Sequence, residues 1–299
     1  MAARKLKRSI PDRLFIIINH LFLVFLGVIC LLPFIHVVAL SFSHTSMATA
    51  GKVKFWPQMF TVAPYEFLFS RAEFMTSFWV TIRRVILGLS LDLLIMITMA
   101  YPLSRSKRQL PGRTIFSWML IITMFVNGGL IPNYLLIVNL GLKNKIWALV
   151  LPGAVQAFNI AVLLNFFRNI PKELEEAAII DGAGQQRILW RIFVPLSIPA
   201  LATLVVFQAT GHWNEWFSGM IYMTDSANYP LSTYMRTILV NPSISVIGLL
   251  PHELEMALQI SSRTFQSAAI VVGTIPILCV YPFLQRYFVK GMTLGGLKG

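Results

Sequence analysis

Charge is what this sequence has least of. Only 12% of its 299 residues are charged, against roughly 25% in an ordinary soluble domain, and 56% are hydrophobic. That balance excludes an ordinary soluble domain. Cysteine is nearly absent: Cys30 and Cys279 both sit inside apolar runs, too few for a disulfide framework or a metal site, and they read as small buried hydrophobes. The histidines His20, His36, His44, His212 and His252 are scattered, and neither HExxH nor GxSxG occurs. An intramembrane protease would need such a metal-binding pair or a nucleophile with its base. No GxxxxGK[ST] loop is present either, so any nucleotide that powers this chain is bound by a separate polypeptide. Two related halves with charged relay residues, the mark of secondary transporters, are also missing, as are internal repeats and low-complexity tracts.

What the sequence has in abundance is apolar runs. About 20 mostly apolar residues cross a bilayer as a helix, and lipid leaves an open backbone group no other partner. Six spans are predicted: Leu14–Leu40, Trp79–Leu103, Ile115–Val138, Ile146–Phe167, Leu196–Tyr222 and Phe265–Val289. The first follows a basic head of Arg4, Lys5, Lys7, Arg8 and Arg13. It is far longer than the 7–15 residues of a signal h-region, so a retained span is expected. The net charge of +13 does not form one patch, and nucleic acid is rejected as a partner. Lys and Arg gather instead near Arg105–Arg113, Arg168–Arg191 and Arg286–Lys298, alternate connections that the positive-inside rule places in the cytoplasm with both termini. Arg83 and Arg84 depart from this pattern and are expected to snorkel or to face a watery vestibule. His44–Thr76 reads as an interfacial loop with short helical pieces, and a short helix is expected at Pro251–Gln259, where proline suits a first turn.

Between the fourth and fifth spans lies a polar, helix-forming island. Pro171 preorganises a helix start, and Glu173, Glu175 and Glu176 offset the positive end of its dipole. Ala177 and Ala178 favour helix and leave little side-chain volume. Gly182 suits a left-handed stop, a second amphipathic helix is expected over Ala183–Phe193, and Pro195 and Pro199 mark the entry into the fifth span.

The island Phe167-Arg168-Asn169-Ile170-Pro171-Lys172-Glu173-Leu174-Glu175-Glu176-Ala177-Ala178, with Asp181-Gly182-Ala183 and Ile192-Phe193-Val194-Pro195, resembles the EAA loop of binding-protein-dependent ABC importer permeases. Val194 stands where the usual pattern has leucine, which keeps an apolar packing residue. Ala100-Tyr101-Pro102-Leu103-Ser104-Arg105, Trp213-Asn214-Glu215-Trp216 and the run from Tyr281 to Gly291, ending Gly295-Gly296-Leu297-Lys298-Gly299, are similar to the sugar-importing branch, in particular to the maltose transporter's shorter permease and to permeases for complex polysaccharide fragments. The resemblance implies an all-helical, six-span type I importer permease of the bacterial inner membrane. Residues 1–13 would be a cytoplasmic tail, 14–289 the transmembrane domain with its coupling loop at 168–195, and 290–299 a second cytoplasmic tail.

It further implies a docking element of Glu176, Ala177, Ala178, Asp181, Gly182 and Ala183 seated in a groove of an ATPase. A flexible tail with Gly295, Gly296, Lys298 and Gly299 would reach toward two such ATPase subunits. A second, nonidentical permease and an extracytoplasmic solute-binding protein would complete the assembly. No cofactor is expected on this chain; ATP and Mg would belong to the partner ATPase. The cargo expected is an oligosaccharide, acidic if the likeness to permeases for uronate polymers extends that far, with a non-sugar solute as the alternative.

Several polar groups fall inside the spans. Asp92 reads as lining of the path, as an ion pair with Arg84 or Arg83, or as a structural contact between helices; the last is preferred. Trp213 and Trp216, three residues apart, would share a helical face, and with Asn214 and Glu215 they suit a sugar, or else an interfacial belt. Gln208 would join that lining. Asn127 and Asn133, flanking Gly128-Gly129, are expected to mark a broken helix.

Overall fold

The computed structural model describes residues 10–240 and 260–296. Arg4, Lys5, Lys7, Arg8, the helix expected at Pro251–Gln259, Lys298 and Gly299 lie outside the described residues. Among those described, the chain is helical, and its one extended pairing is an isolated antiparallel bridge between Ser43 and Phe60. The chain divides into two units.

The first unit begins with α1 (Ile10–Ser41). Its apolar stretch has a mean hydropathy of 2.8 and no buried residue in its most apolar window, as expected of a surface turned to lipid. After it come α2 (Thr45–Thr49) and α3 (Ala63–Ser70), the short helical pieces expected of this loop. Tyr65 hydrogen bonds Ser41 at 2.7 Å and packs its ring 4.8 Å from Phe42, and Phe67 meets Phe265 edge-on.

The second unit is organised around α4 (Ala72–Ser104), a continuous helix of 33 residues. Ser77, Thr81, Arg84, Gly88 and Asp92, then Met96, Ala100 and Leu103, recur every three or four residues and are all buried. Small and polar groups on one stripe let helices approach closely where no hydrophobic driving force exists between them. Next come α5 (Arg113–Phe125), α6 (Leu130–Asn139), α7 (Trp147–Val150), α8 (Ala157–Arg168), α9 (Lys172–Ile180), α10 (Gln185–Ile188), α11 (Val194–Leu196), α12 (Ile198–Asn214), α13 (Phe217–Tyr222) and α14 (Leu231–Val240). Helix α4 packs chiefly against α8 and α12. Tyr101, Ile160, Leu163, Phe167, Ile188 and Phe193 lie at the centre of this core. The last helix, α15 (Ser262–Gly296), runs through the position expected for a loose tail.

Three of the six predicted spans are not single helices. The third is α5 and α6, bent by 113°; the fourth is the helical turn through Gly153 followed by α8, bent by 53°; the fifth turns by 78° between Leu196 and Ile198. Two of these breaks, in the third and fifth spans, have a local cause. Gly129 takes φ +85° and donates its N–H to Asn127 Oδ1 at 2.8 Å, so the Asn127 break is where it was expected. At Ser197 the ring of Pro199 cannot share a helix with the carbonyl four residues earlier. The fifth span also breaks again at Glu215 and Trp216, short of the expected Tyr222. The expected helix over Ala183–Phe193 is α10 followed by a π-type turn at Leu189–Phe193. Cys30 and Cys279 are free and exposed, not buried as expected; apolar helix faces here are turned outward.

Gly219 opens α13 to its neighbour: a Cβ there would lie 2.0 Å from Thr233 Oγ1. Overpacking of this kind costs about 1–3 kcal/mol. Gly219→Ala is therefore expected to lower the Tm of the detergent-solubilised protein, measured by thermal unfolding; an unaltered Tm would mean that α14 yields freely.

Candidate functional site

The polar island forms a helical hairpin with a tightly determined tip. Pro171 precedes α9, and Glu173 and Glu175 occupy its first turn. At the other end Asp181 closes the helix and Gly182 takes φ +75°. Gly182 N–H donates to Ile179 O at 3.0 Å and Ala183 N–H to Ala178 O at 2.9 Å. That pair of bonds is a Schellman turn, with glycine at the position that requires left-handed backbone. Ala178 and Ala183 pack inward on the core. Glu176, Ala177, Asp181 and Gly182 are exposed. So is Ile180, at 85%. The sequence reading did not single out Ile179 or Ile180. Their signal was two apolar residues ending a helix otherwise rich in charge.

A buried ion pair anchors this hairpin to α4. Arg105, just past the end of α4, pairs with Glu175 of α9. Its guanidinium stacks 3.9 Å from the Tyr101 ring centre and 4.6 Å from that of Phe193. Tyr101 O–H donates to Gln185 Oε1 at 2.7 Å, and Arg113 donates to the Arg105 carbonyl at 2.7 Å. A planar guanidinium can pair at its edge and stack on its face at once, which an ammonium cannot. The hairpin is thus tied on both of its arms to the span that carries the buried stripe.

Within the span level, Asp92 is 1% exposed and lies 2.7 Å from His212 Nε2 of α12. This is the expected contact between helices; the ion pair with Arg84 or Arg83 is not formed. Gly88, one turn from Asp92, makes the room: a Cβ there would lie 2.5 Å from the His212 ring. His212 had looked like one more scattered histidine. Arg84 instead serves the break after α12. It donates to the Glu215 carbonyl at 2.8 Å, to the Glu215 carboxylate and to Ser218 Oγ. Ser232 Oγ donates to the Trp213 carbonyl, and Thr233 Oγ1 to the Trp216 carbonyl at 2.8 Å. Backbone carbonyls freed by a broken helix must find partners, and here three side chains supply them. Arg83 is exposed.

The expected sugar platform is therefore divided. Trp213 and Trp216 do not share a helical face, because the helix ends between them. Trp213 is 8% exposed and donates its indole N–H to the Gly273 carbonyl at 3.0 Å, a structural role. Glu215 is taken up by Arg84, and Gln208 is 4% exposed. Asn214 and Trp216 remain exposed, and the guanidinium of Arg236 lies 4.8 Å from the Trp216 ring centre. Asn127, occupied with its own turn, is exposed as well. Among the described residues no cluster of three or more His, Cys, Asp or Glu could hold a metal ion.

Removing one partner of a buried hydrogen bond leaves the other unsatisfied, at a cost of about 1–3 kcal/mol and more for a charged group, whereas replacing both by apolar groups is often tolerated. Asp92→Leu and His212→Leu are each expected to lower Tm sharply, and the double variant to recover much of the loss. Thermal unfolding of the three variants checks this; additive losses would show that the two groups do not act as a pair.

Comparison with known proteins agrees with this architecture. The family described as binding-protein-dependent transport system inner membrane component matches residues 14–294. The chain is 38% identical to the protein LplC of Bacillus subtilis over 96% of both chains. It is 39% identical to the polygalacturonan/rhamnogalacturonan transport system permease protein YtcP of the same organism, over 96% of this chain and 99% of that one. A solved structure of a bacterial ABC transporter involved in the import of the acidic polysaccharide alginate contains a chain that superposes with a TM-score of 0.85 at 31% identity, covering 95% of this chain and all of the other. With the helical hairpin and the span-forming helices in place, the conclusion is direct: this chain belongs to the inner membrane components of binding-protein-dependent transport systems, and is a multi-pass permease of an ABC importer with the type I fold, a transport component and not an enzyme.

Proposed function

We propose that this permease carries an acidic, uronate-containing oligosaccharide into the cell, driven by ATP hydrolysis on separate subunits. Both termini face the cytoplasm in this reading. The assembly contains a second, nonidentical permease, two ATPase subunits that bind ATP and Mg, and an extracytoplasmic solute-binding protein. The observation that carries the docking role is the hairpin tip. Glu176, Ala177, Asp181 and Gly182 stand exposed beside Ile180, on a turn held by two backbone bonds and an ion pair to α4. A knob of small residues with an exposed isoleucine, which water would not favour, is suited to a groove in a partner, with Glu176 offering a carboxylate to a basic side chain there. Gly295 and Gly296, at the end of α15, would bring Lys298 and Gly299 toward the ATPase pair.

The cargo reading rests on the named relatives, whose transport systems handle polygalacturonan, rhamnogalacturonan and alginate. The exposed Trp216 with Arg236 stacked on it, two residues from Asn214, supports it in chemical terms. An aromatic face takes the apolar side of a sugar ring and a cation takes its carboxylate.

ATP closure of the partner subunits would move the hairpin, and the Arg105–Glu175 pair would pass that motion to α4. Such coupling requires that ATP and cargo each favour one conformational state by differential affinity. Two measurements test the proposal. Glu176→Lys is expected to leave membrane insertion intact, to cut co-purification of the ATPase by about tenfold or more, and to abolish uptake; normal uptake removes the docking role. Proteoliposomes holding the assembled importer and its binding protein are expected to accumulate uronate oligosaccharides when ATP is present. Preference for a neutral oligosaccharide or a non-sugar solute overturns the cargo assignment.

A further inference from the structure

At the end of α4 the surface changes from apolar to strongly basic within a few residues. A cleft of about 700 Å³ opens between the α4–α5 loop, the end of α8 and α9. Arg105, Arg108, Arg113, Arg168 and Lys172 line it, against the two carboxylates of Glu175 and Glu176. Glu175 is already engaged by Arg105. The Arg105 side chain is 9% exposed, yet its Nε and Nη2 have no hydrogen-bond partner, and neither does Nε of Arg113. Glu175 Oε1 is likewise unpartnered. Buried guanidinium N–H groups left without acceptors are costly, and the cations lining this cleft outnumber its carboxylates, which suits it to an anion.

An apolar groove lies nearby, linked to the cleft by the residues that line both it and a smaller cavity between. Arg105 and Gln109 also line a smaller cavity that includes Pro102 and Leu110. Pro102 and Leu110 in turn border a groove of about 420 Å³ formed with Met99, Leu103, Phe116 and Met119. The track thus runs from hydrocarbon-lined to cation-lined at the end of one span and the start of the next. A membrane-spanning helix ends where lipid headgroups lie, and basic pockets between spans are suited to anionic headgroups. A soluble anion would use the cationic end alone and leave the groove without purpose. A neutral lipid would use the groove and leave the guanidinium groups unanswered.

We propose that this track binds one anionic phospholipid, its phosphate among Arg105, Arg108 and Arg113 and an acyl chain along Leu110, Phe116 and Met119. The site is independent of the cargo. The cleft reaches the hairpin at Lys172, Glu175 and Glu176, so a phosphate there would draw together the guanidinium groups of the α4–α5 loop and of the start of α5 beside α9.

The test is native mass spectrometry of the assembled importer, stripped of lipid in detergent and then supplied with phosphatidylglycerol or phosphatidylcholine. Wild type is expected to retain phosphatidylglycerol in clear preference. Arg108→Gln with Lys172→Gln, both at exposed positions, should lower that retention by about tenfold or more. Met119→Trp, which fills the groove, should lower it independently of charge. Equal retention of the two lipids, or no loss in either variant, overturns the proposal. Displacement of phosphatidylglycerol by millimolar inorganic phosphate, with Met119→Trp behaving as wild type, also overturns it and identifies a soluble-anion site.

Discussion

Charged groups buried on a membrane span must be answered by a partner, and three buried ones, two on α4 and one at the residue that caps it, organise this protein. Arg84 holds the broken end of α12, Asp92 holds His212 in the last turn of the same helix, and Arg105 holds Glu175 of the hairpin. An ionised group placed in lipid costs about 3 kcal/mol on insertion scales, and the cost is avoided only if the partners keep their places. Each pair therefore restricts where a neighbouring helix can sit. Nonpolar packing between helices in lipid has no comparable directional preference. The small residues along the same stripe, Ser77, Thr81 and Gly88, are what let the partners come close enough.

The same constraint explains how breaks in the spans are tolerated. Carbonyls released at Trp213, Glu215 and Trp216 are met by Ser232, Arg84 and Thr233. The turn at Gly129 is closed by the side chain of Asn127. At the hairpin the helix end is satisfied by its own backbone through the Schellman turn, so the tip needs no outside partner to keep its shape. A preformed knob on a stiff mount would lose little conformational freedom in the docking proposed for it.

Much of the site was readable before any coordinates. Acidic residues after Pro171, the alanine pair and Gly182 each have a local conformational meaning, and each adopts it. Asp92 as a contact between helices and Asn127 as a break were also legible, because a lone charge in an apolar run and an Asn-Gly-Gly sequence have few alternatives. Trp213 and Trp216 misled, since spacing on a helix carries information only while the helix continues. The identity of Asp92's partner was out of reach: His212 lies 120 residues away, and no local pattern distinguishes it from His20 or His36.

By itself the sequence determined that the chain spans a membrane, that it is helical, and that a polar helical hairpin with a glycine-closed end projects from it. These follow from composition and short-range backbone preference, which act within a few residues. Tertiary structure alone decided which charges meet, how the carbonyls freed at Glu215 and Trp216 are satisfied, and that Trp213 is buried while Trp216 is exposed. Those outcomes depend on which helices are neighbours, and low-dielectric surroundings make each such pairing too costly to leave unmet.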